Sequence, residues 1–295
     1  MAIRPISDEE RMAWAGELSD SQYAIPGATV TLQKCNYVYD VTVGNIRVVY
    51  ALQRTMRGRI PSRVLAKLMR AVTRLAALAV QLNIAPLFYV IVPCPDKRHW
   101  PPLGQSVSST NINGAFTYKT GNAVFIFREE EYPKVMLHEA IHHTTLDPSP
   151  QALDGIEAFF RRTYNIAPAM RFLPGEGVVE AFATYYQCKF VAADTQVPFE
   201  AMWARELEHM KQQAQAVLHR CKDERAPWFE TTNAFAYIVV KWLCCMNMTE
   251  LIGMGHLQVG TPMLPFFERA ILSAPRTSAV PTTPSSMRLT VFGDL

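Results

Sequence analysis

Between residues 60 and 82 the apolar positions Val64, Leu65, Leu68, Val72, Leu75, Leu78 and Leu82 recur at three- and four-residue intervals, behind Pro61. That spacing gathers them on one side of a helix, so an amphipathic helix is predicted there. The preceding stretch is patterned differently. Residues 29–52 are dense in β-branched and aromatic side chains with Gly44-Asn45 as a turn, and they read as a pair of strands. Residues 87–92 (LFYVIV) are continuously apolar and stop at Pro93 and Pro95, which predicts a buried strand. Residues 114–127 read as a hairpin, GAFTY and AVFIF joined by KTGN. The segment between, 94–113, is rich in proline, serine, threonine and asparagine and is expected to be a long loop, functional or mobile. The opening ~20 residues are polar and expected to be loosely held.

Beyond Arg128 the pattern turns helical and stays so. Helices are predicted near residues 130–145, 151–164, 175–192, 198–223, 229–248 and 262–273. From residue 273 the chain (SAPRTSAVPTTPSS) is expected to be extended or disordered. No internal repeat is present. The fold class is therefore α+β, with a small mixed sheet and one packed helix over residues 1–128. A helical lobe follows over 129–273, then a Pro/Ser/Thr-rich tail over 274–295.

Composition narrows the function. With 49% hydrophobic and 19% charged residues the chain has the make-up of a globular protein with a substantial core. A net charge of +3 gives no strong nucleic-acid signal. Lys and Arg do cluster between Arg54 and Arg74, and that run reads first as the wet face of a helix and second as a phosphate-binding patch. Residues 1–21 have charges throughout and no apolar run, so no secretory signal is expected. The most apolar run, 234–248, is too short for a membrane span, is broken by Lys241, and suits a core helix. Six cysteines without a CxxC pair suggest free thiols and a reducing setting, the cytosol or the inside of a particle assembled there.

One pentapeptide carries chemistry. His138-Glu139-Ala140-Ile141-His142 matches HExxH, and positions i and i+4 of a helix put both imidazoles on one face, within reach of one ion. Glu139 lies beside them, suited to hold a water on that ion and accept its proton. A hydrolytic zinc needs a third protein ligand and an open position. Glu176 and Glu180, in GEGVVEAFA at the start of a later helix, also stand at i and i+4. One could bind zinc while the other accepts the outer N–H of a ligand histidine.

HEAIH followed by ExxxE on a second helix resembles the gluzincin zinc metallopeptidases, across residues 114–190. The resemblance implies a zincin-like fold with one Zn2+ per chain. It makes Glu176 the third ligand and Glu180 the acid that hydrogen-bonds a ligand histidine, with Glu139 as general base. The Glu176-Gly177 pair is similar to the Glu-Gly at the ligand position of related aminopeptidases. Glu180 stands where aspartate is usual, and the interval from His142 to Glu176 is longer than in the shortest members. Members of the group precede the HExxH helix with an edge strand that pairs with extended substrate, and residues 123–127 stand at that point. FREEEYPKVMLHEAIHH also resembles predicted metalloproteases of large DNA viruses.

The resemblance further implies an oxyanion donor from the helical lobe. Tyr237 is preferred because Asn233, one turn earlier, makes that face polar within an apolar helix; Tyr185 and Tyr186 are the alternatives. A core tyrosine with a satisfied hydroxyl is the plain alternative for each. His143 points off the ligand face, and His99, His209, His219 and His256 read as surface residues. The expected function is a zinc metallopeptidase acting on a peptide or protein. The rivals are a catalytically inactive, metalloprotease-like particle-assembly protein and a nucleic-acid module using residues 54–74.

Overall fold

The computed structural model describes residues 2–53, 60–102, 105–222, 227–257, 261–275, 284 and 286–295. Its strands are β1 (Ala2–Pro5), β2 (Tyr37–Val43), β3 (Ile46–Leu52), β4 (Leu87–Ile91), β5 (Ala115–Thr117) and β6 (Ala123–Ile126). Its helices are α1 (Asp8–Asp20), α2 (Pro26–Gln33), α3 (Ser62–Gln81), α4 (Ser109–Ile112), α5 (Tyr132–Ile141), α6 (Ile156–Thr163), α7 (Pro174–Thr195), α8 (Phe199–Arg220), α9 (Lys241–Met246), α10 (Met248–Gly253) and α11 (Leu264–Ser273). A π-helical turn, Ala236–Val240, leads directly into α9. The fold is mixed α/β, and its chain divides into two compact units.

The first unit comprises Met1–Arg98, Asn113–Thr144 and Phe292–Leu295. Its six-stranded sheet has the order β1-β2-β3-β4-β6-β5, with β3, β4 and β6 parallel and the remaining pairs antiparallel. Gly44, at φ +60°, turns β2 into β3 in a two-residue connection, a backbone state that glycine adopts without steric cost. Alternate residues face opposite sides. Val38, Val49, Val90 and Phe125 pack with Trp14 and Leu18 of α1 and Ala28 and Leu32 of α2. On the other side α3 packs against β2 and β3, and α5 against β5 and β6. The predicted α3, β4 and the β5–β6 hairpin stand as the sequence suggested.

Four expectations for this unit change. Residues 29–33 are helical, not strand: Pro26 opens α2, and Ala28, Thr31 and Leu32 fall on one buried side, so core packing overrides the β-branched composition. The opening residues are ordered. Ser7 and Glu10 cap α1 reciprocally, and Trp14 and Leu18, one turn apart, bury its inner face. Residues 123–127 do not form the sheet edge, because β6 lies between β4 and β5; the edge strand is β5. Finally, α5 falls with the sheet in this unit, beyond the boundary at 128 read from sequence.

The second unit comprises His99–Ile112 and Thr145–Val291. Helix α7 packs on α8, on the π turn and on α9, and α11 adds to α9. Phe160 stands amid Tyr164, Phe172, Phe235 and Phe267, at ring-centroid distances of 5.3–6.2 Å, mostly edge-on. The helix predicted near 229–248 begins only at Ala234, holds the π turn, and gives way at Asn247 to α10. Helix α6 begins at Ile156, later than predicted, after turns over 151–155. Among its described residues the long loop is irregular as expected apart from α4 and a bridge from Val107 to Glu230.

The expected tail is only partly described. Residues 286–291 are irregular yet anchored: Gln213 Nε2 donates to the Arg288 carbonyl at 2.6 Å, Lys241 Nζ to that of Leu289, and the Val291 N–H to Glu206 at 2.7 Å. Residues 54–59, with three of the seven basic residues of the run, lie outside the described residues. In the described part, Lys67 is engaged, with its ammonium 2.7 Å from Asp294 and 4.5 Å from the Tyr132 ring centre. No described helix is long and apolar enough to cross a membrane. All six cysteines are buried as thiols.

Candidate metal centre

Helix α5 is buried at all ten positions. Its apolar residues Val135, Met136, Leu137, Ala140 and Ile141 account for part of that, but Lys134, 1% exposed, and His138 and Glu139, each 5% exposed, do not. Polar groups held from water need partners or a purpose. The start of the helix is fixed from three sides. Arg98 forms a buried ion pair with Glu131 at 2.6 Å, the Arg98 backbone N–H donates to Glu130 at 2.7 Å, and Asp294 accepts the Glu131 N–H at 2.9 Å. Glu131 stands at φ +60°, and these contacts hold it there. Tyr89 of β4 donates to the Met136 carbonyl at 3.1 Å, fixing the middle of the helix to the sheet. Burial, reinforced by the nearby Glu139 charge, raises the pKa of that phenol well above its ordinary value.

At the far end of α5 the two histidines converge. His138 Nε2 and His142 Nε2 lie 3.2 Å apart, with ring centres at 4.9 Å and planes at 78°. A tetrahedral ion with Zn–N bonds of ~2.0–2.1 Å holds two nitrogens roughly 3.3 Å apart. Two neutral imidazoles could share a hydrogen bond at the same distance, so a metal site needs a third group. Glu176 supplies it: one ligand atom each from His138, His142 and Glu176 all lie within 4.8 Å of one another. The group could hold a metal ion. Two imidazoles and a carboxylate are the donors that zinc takes with a position left open.

Glu176 lies in the first turn of α7, opened by Pro174, where the helix dipole favours a carboxylate. Its second neighbour is Tyr237, whose hydroxyl donates to Glu176 Oε2 at 3.1 Å. Of the three tyrosines considered, Tyr237 meets the donor set through Glu176. Tyr185 instead joins an aromatic group with Phe199 and Trp203, at 5.5 and 5.8 Å.

Glu180, one turn beyond Glu176, is buried, with the Lys241 ammonium 3.9 Å from its Oε1. The carboxylate of the three-residue group is that of Glu176. Lys241 was visible in the sequence only as a break in an apolar run; a lysine in such a place marks a buried acid to be matched. His143 Nε2 is 3.1 Å from Thr117 Oγ1, which links the residue after His142 to edge strand β5. His209 meets the Arg288 carbonyl at 3.0 Å, and His256 meets Thr145 at 2.7 Å. His99 and His219 are exposed.

Sequence reasoning passed over Glu230. It is 2% exposed and caps the helix that carries Tyr237, accepting the Phe235 N–H at 2.9 and 3.0 Å and the Trp228 indole N–H at 2.9 Å. Burial raises its pKa from 4.5 to about 8, against the pull of those hydrogen bonds. A glutamate four residues before a helical apolar run was the available signal. No family model, no curated protein and no solved structure matches this chain.

Proposed function

We propose that this protein is a zinc-dependent hydrolase of peptide bonds, with His138, His142 and Glu176 as metal ligands. One observation carries the reading. An HExxH pair of imidazoles and a carboxylate from a distant part of the chain offer three ligand atoms within 4.8 Å, with Glu139 adjacent in sequence and Tyr237 bonded to the carboxylate. A zinc ion held there would acidify a water and polarise a substrate carbonyl.

The chain's own groups supply the rest. Glu139, buried beside the ligands, takes the proton of the attacking water and delivers it to the departing amine nitrogen. The Tyr237 hydroxyl, whose one proton rests on Glu176 Oε2, would turn that proton to the substrate oxygen on which negative charge develops. Glu180, with the Lys241 ammonium 3.9 Å away, lies one helical turn from Glu176. An extended substrate would pair with the free edge of β5, residues Ala115–Thr117.

The test is Glu139→Gln, assayed on a peptide library with and without chelator. Chelator-sensitive cleavage by the wild type is expected, with zinc retained but cleavage lost in the variant. Unchanged turnover in the variant would refute Glu139 as the base.

A further inference from the structure

Immediately after the proposed ligand Glu176 the chain places Gly177, and the reason lies in the helix opposite. A Cβ at residue 177 would sit 2.5 Å from the Ala236 carbonyl oxygen, 2.6 Å from Val240 Cβ and 2.8 Å from Val240 Cγ1. Contacts under 3.0 Å are essentially never made by real Cβ atoms, and here the obstacles are a backbone oxygen and the root of a branched side chain. Neither can swing aside. Ala236 and Val240 are the two ends of the π-helical turn, and Tyr237 lies between them. The turn cannot easily retreat, because its helix is capped by Glu230 through the Phe235 N–H. Single π turns inside helices are frequent at functional sites, where the wider ring re-aims a side chain.

We propose that Gly177 is a positioning residue of the metal centre: its missing side chain sets the approach of α7 to the π turn and so holds the Tyr237 hydroxyl against Glu176. The inference rests on the reading of Glu176 as a ligand. An added methyl separates the two helices at the point where the 3.1 Å hydrogen bond forms. Gly175, on the other side of Glu176, provides the contrast. A Cβ there meets only Leu153 Cδ1, at 3.0 Å, the far end of a flexible side chain. Both glycines lie in the same first turn of α7, so helix propensity does not distinguish them.

The experiment measures zinc affinity by chelator competition for the full chain and for Gly177→Ala, Gly175→Ala, Tyr237→Phe and the Gly177→Ala/Tyr237→Phe pair, with folding checked by circular dichroism. Loss of a hydrogen bond that orients a metal ligand weakens binding roughly 10- to 100-fold. Gly177→Ala is expected to lose zinc affinity by a factor in that range, as is Tyr237→Phe, and Gly175→Ala by less than about twofold. The double variant should be little worse than either single one, since both remove the same contact. Val240→Ile, one methyl larger on the Cγ1 side of the same gap, is the milder probe if Gly177→Ala does not fold, and should weaken zinc in the same sense. Wild-type affinity in folded Gly177→Ala, or in Val240→Ile where that stands in for it, overturns the proposal. So do losses that simply multiply in the double variant. If the wild type itself takes up no zinc, the metal reading has failed, and this inference falls with it.

Discussion

Glu230 gives the chain a stability that depends on pH in a calculable way. Its carboxyl is ionised above pH 4.5 in the unfolded chain, but only above about pH 8 in the folded one. Below pH 4.5 both states hold the proton, and it favours neither. Between those limits the folded state keeps a proton the unfolded state has released, so each rise in pH favours unfolding; above about pH 8 the effect levels off. The interval from 4.5 to about 8, at ~1.4 kcal/mol for each pH unit, comes to about 5 kcal/mol. Glu230→Gln removes the ionisation. It also leaves the Trp228 or Phe235 N–H poorly matched, at about 1–2 kcal/mol. The variant is therefore expected to be the less stable form near pH 5, to cross the wild type around pH 6, and to be the more stable by a few kcal/mol near pH 8.5. Urea unfolding at 25 °C across pH 5–9, followed by tryptophan fluorescence, measures this. A gap between the two proteins that stays constant over that range refutes the reasoning.

Two further outcomes are expected. Purified protein should contain about one zinc per chain by elemental analysis, and His138→Ala should remove it; a variant that keeps its zinc counts against the ligand assignment. Arg98→Ala should destabilise the protein by about 3–5 kcal/mol, because it leaves the buried Glu131 carboxylate without its cation. Pairing it with Glu131→Gln should recover part of that loss in the same denaturation assay.

The convergence of His138 and His142 was legible in the sequence because two residues four apart on a helix share a face whatever surrounds them. Tyr237 could be nominated, because Asn233 broke an apolar pattern, yet nothing in the sequence marks the π turn around it. Residues 29–33 misled: Thr29, Val30 and Thr31 favour strands by their stiff χ1 angles, but Pro26 and the buried Ala28 and Leu32 settled the backbone as helix. The cap at Ser7 was readable as S-x-x-E and was outweighed by the polarity around it. Residues 123–127 were mistaken for an edge because strand order in space is not written in strand order along the chain. The meaning of Gly177 needed its neighbour sixty residues away.

The contacts of residues 288–294 bear on how far the proposed metal centre draws on the chain. Asp294 accepts the first amide of the helix that bears His138, and the Leu289 carbonyl receives the ammonium that faces Glu180. Two supports of the proposed metal centre thus follow the histidines by well over a hundred residues in the chain. A polypeptide stopping short of residue 288 would carry every proposed ligand yet lack both props.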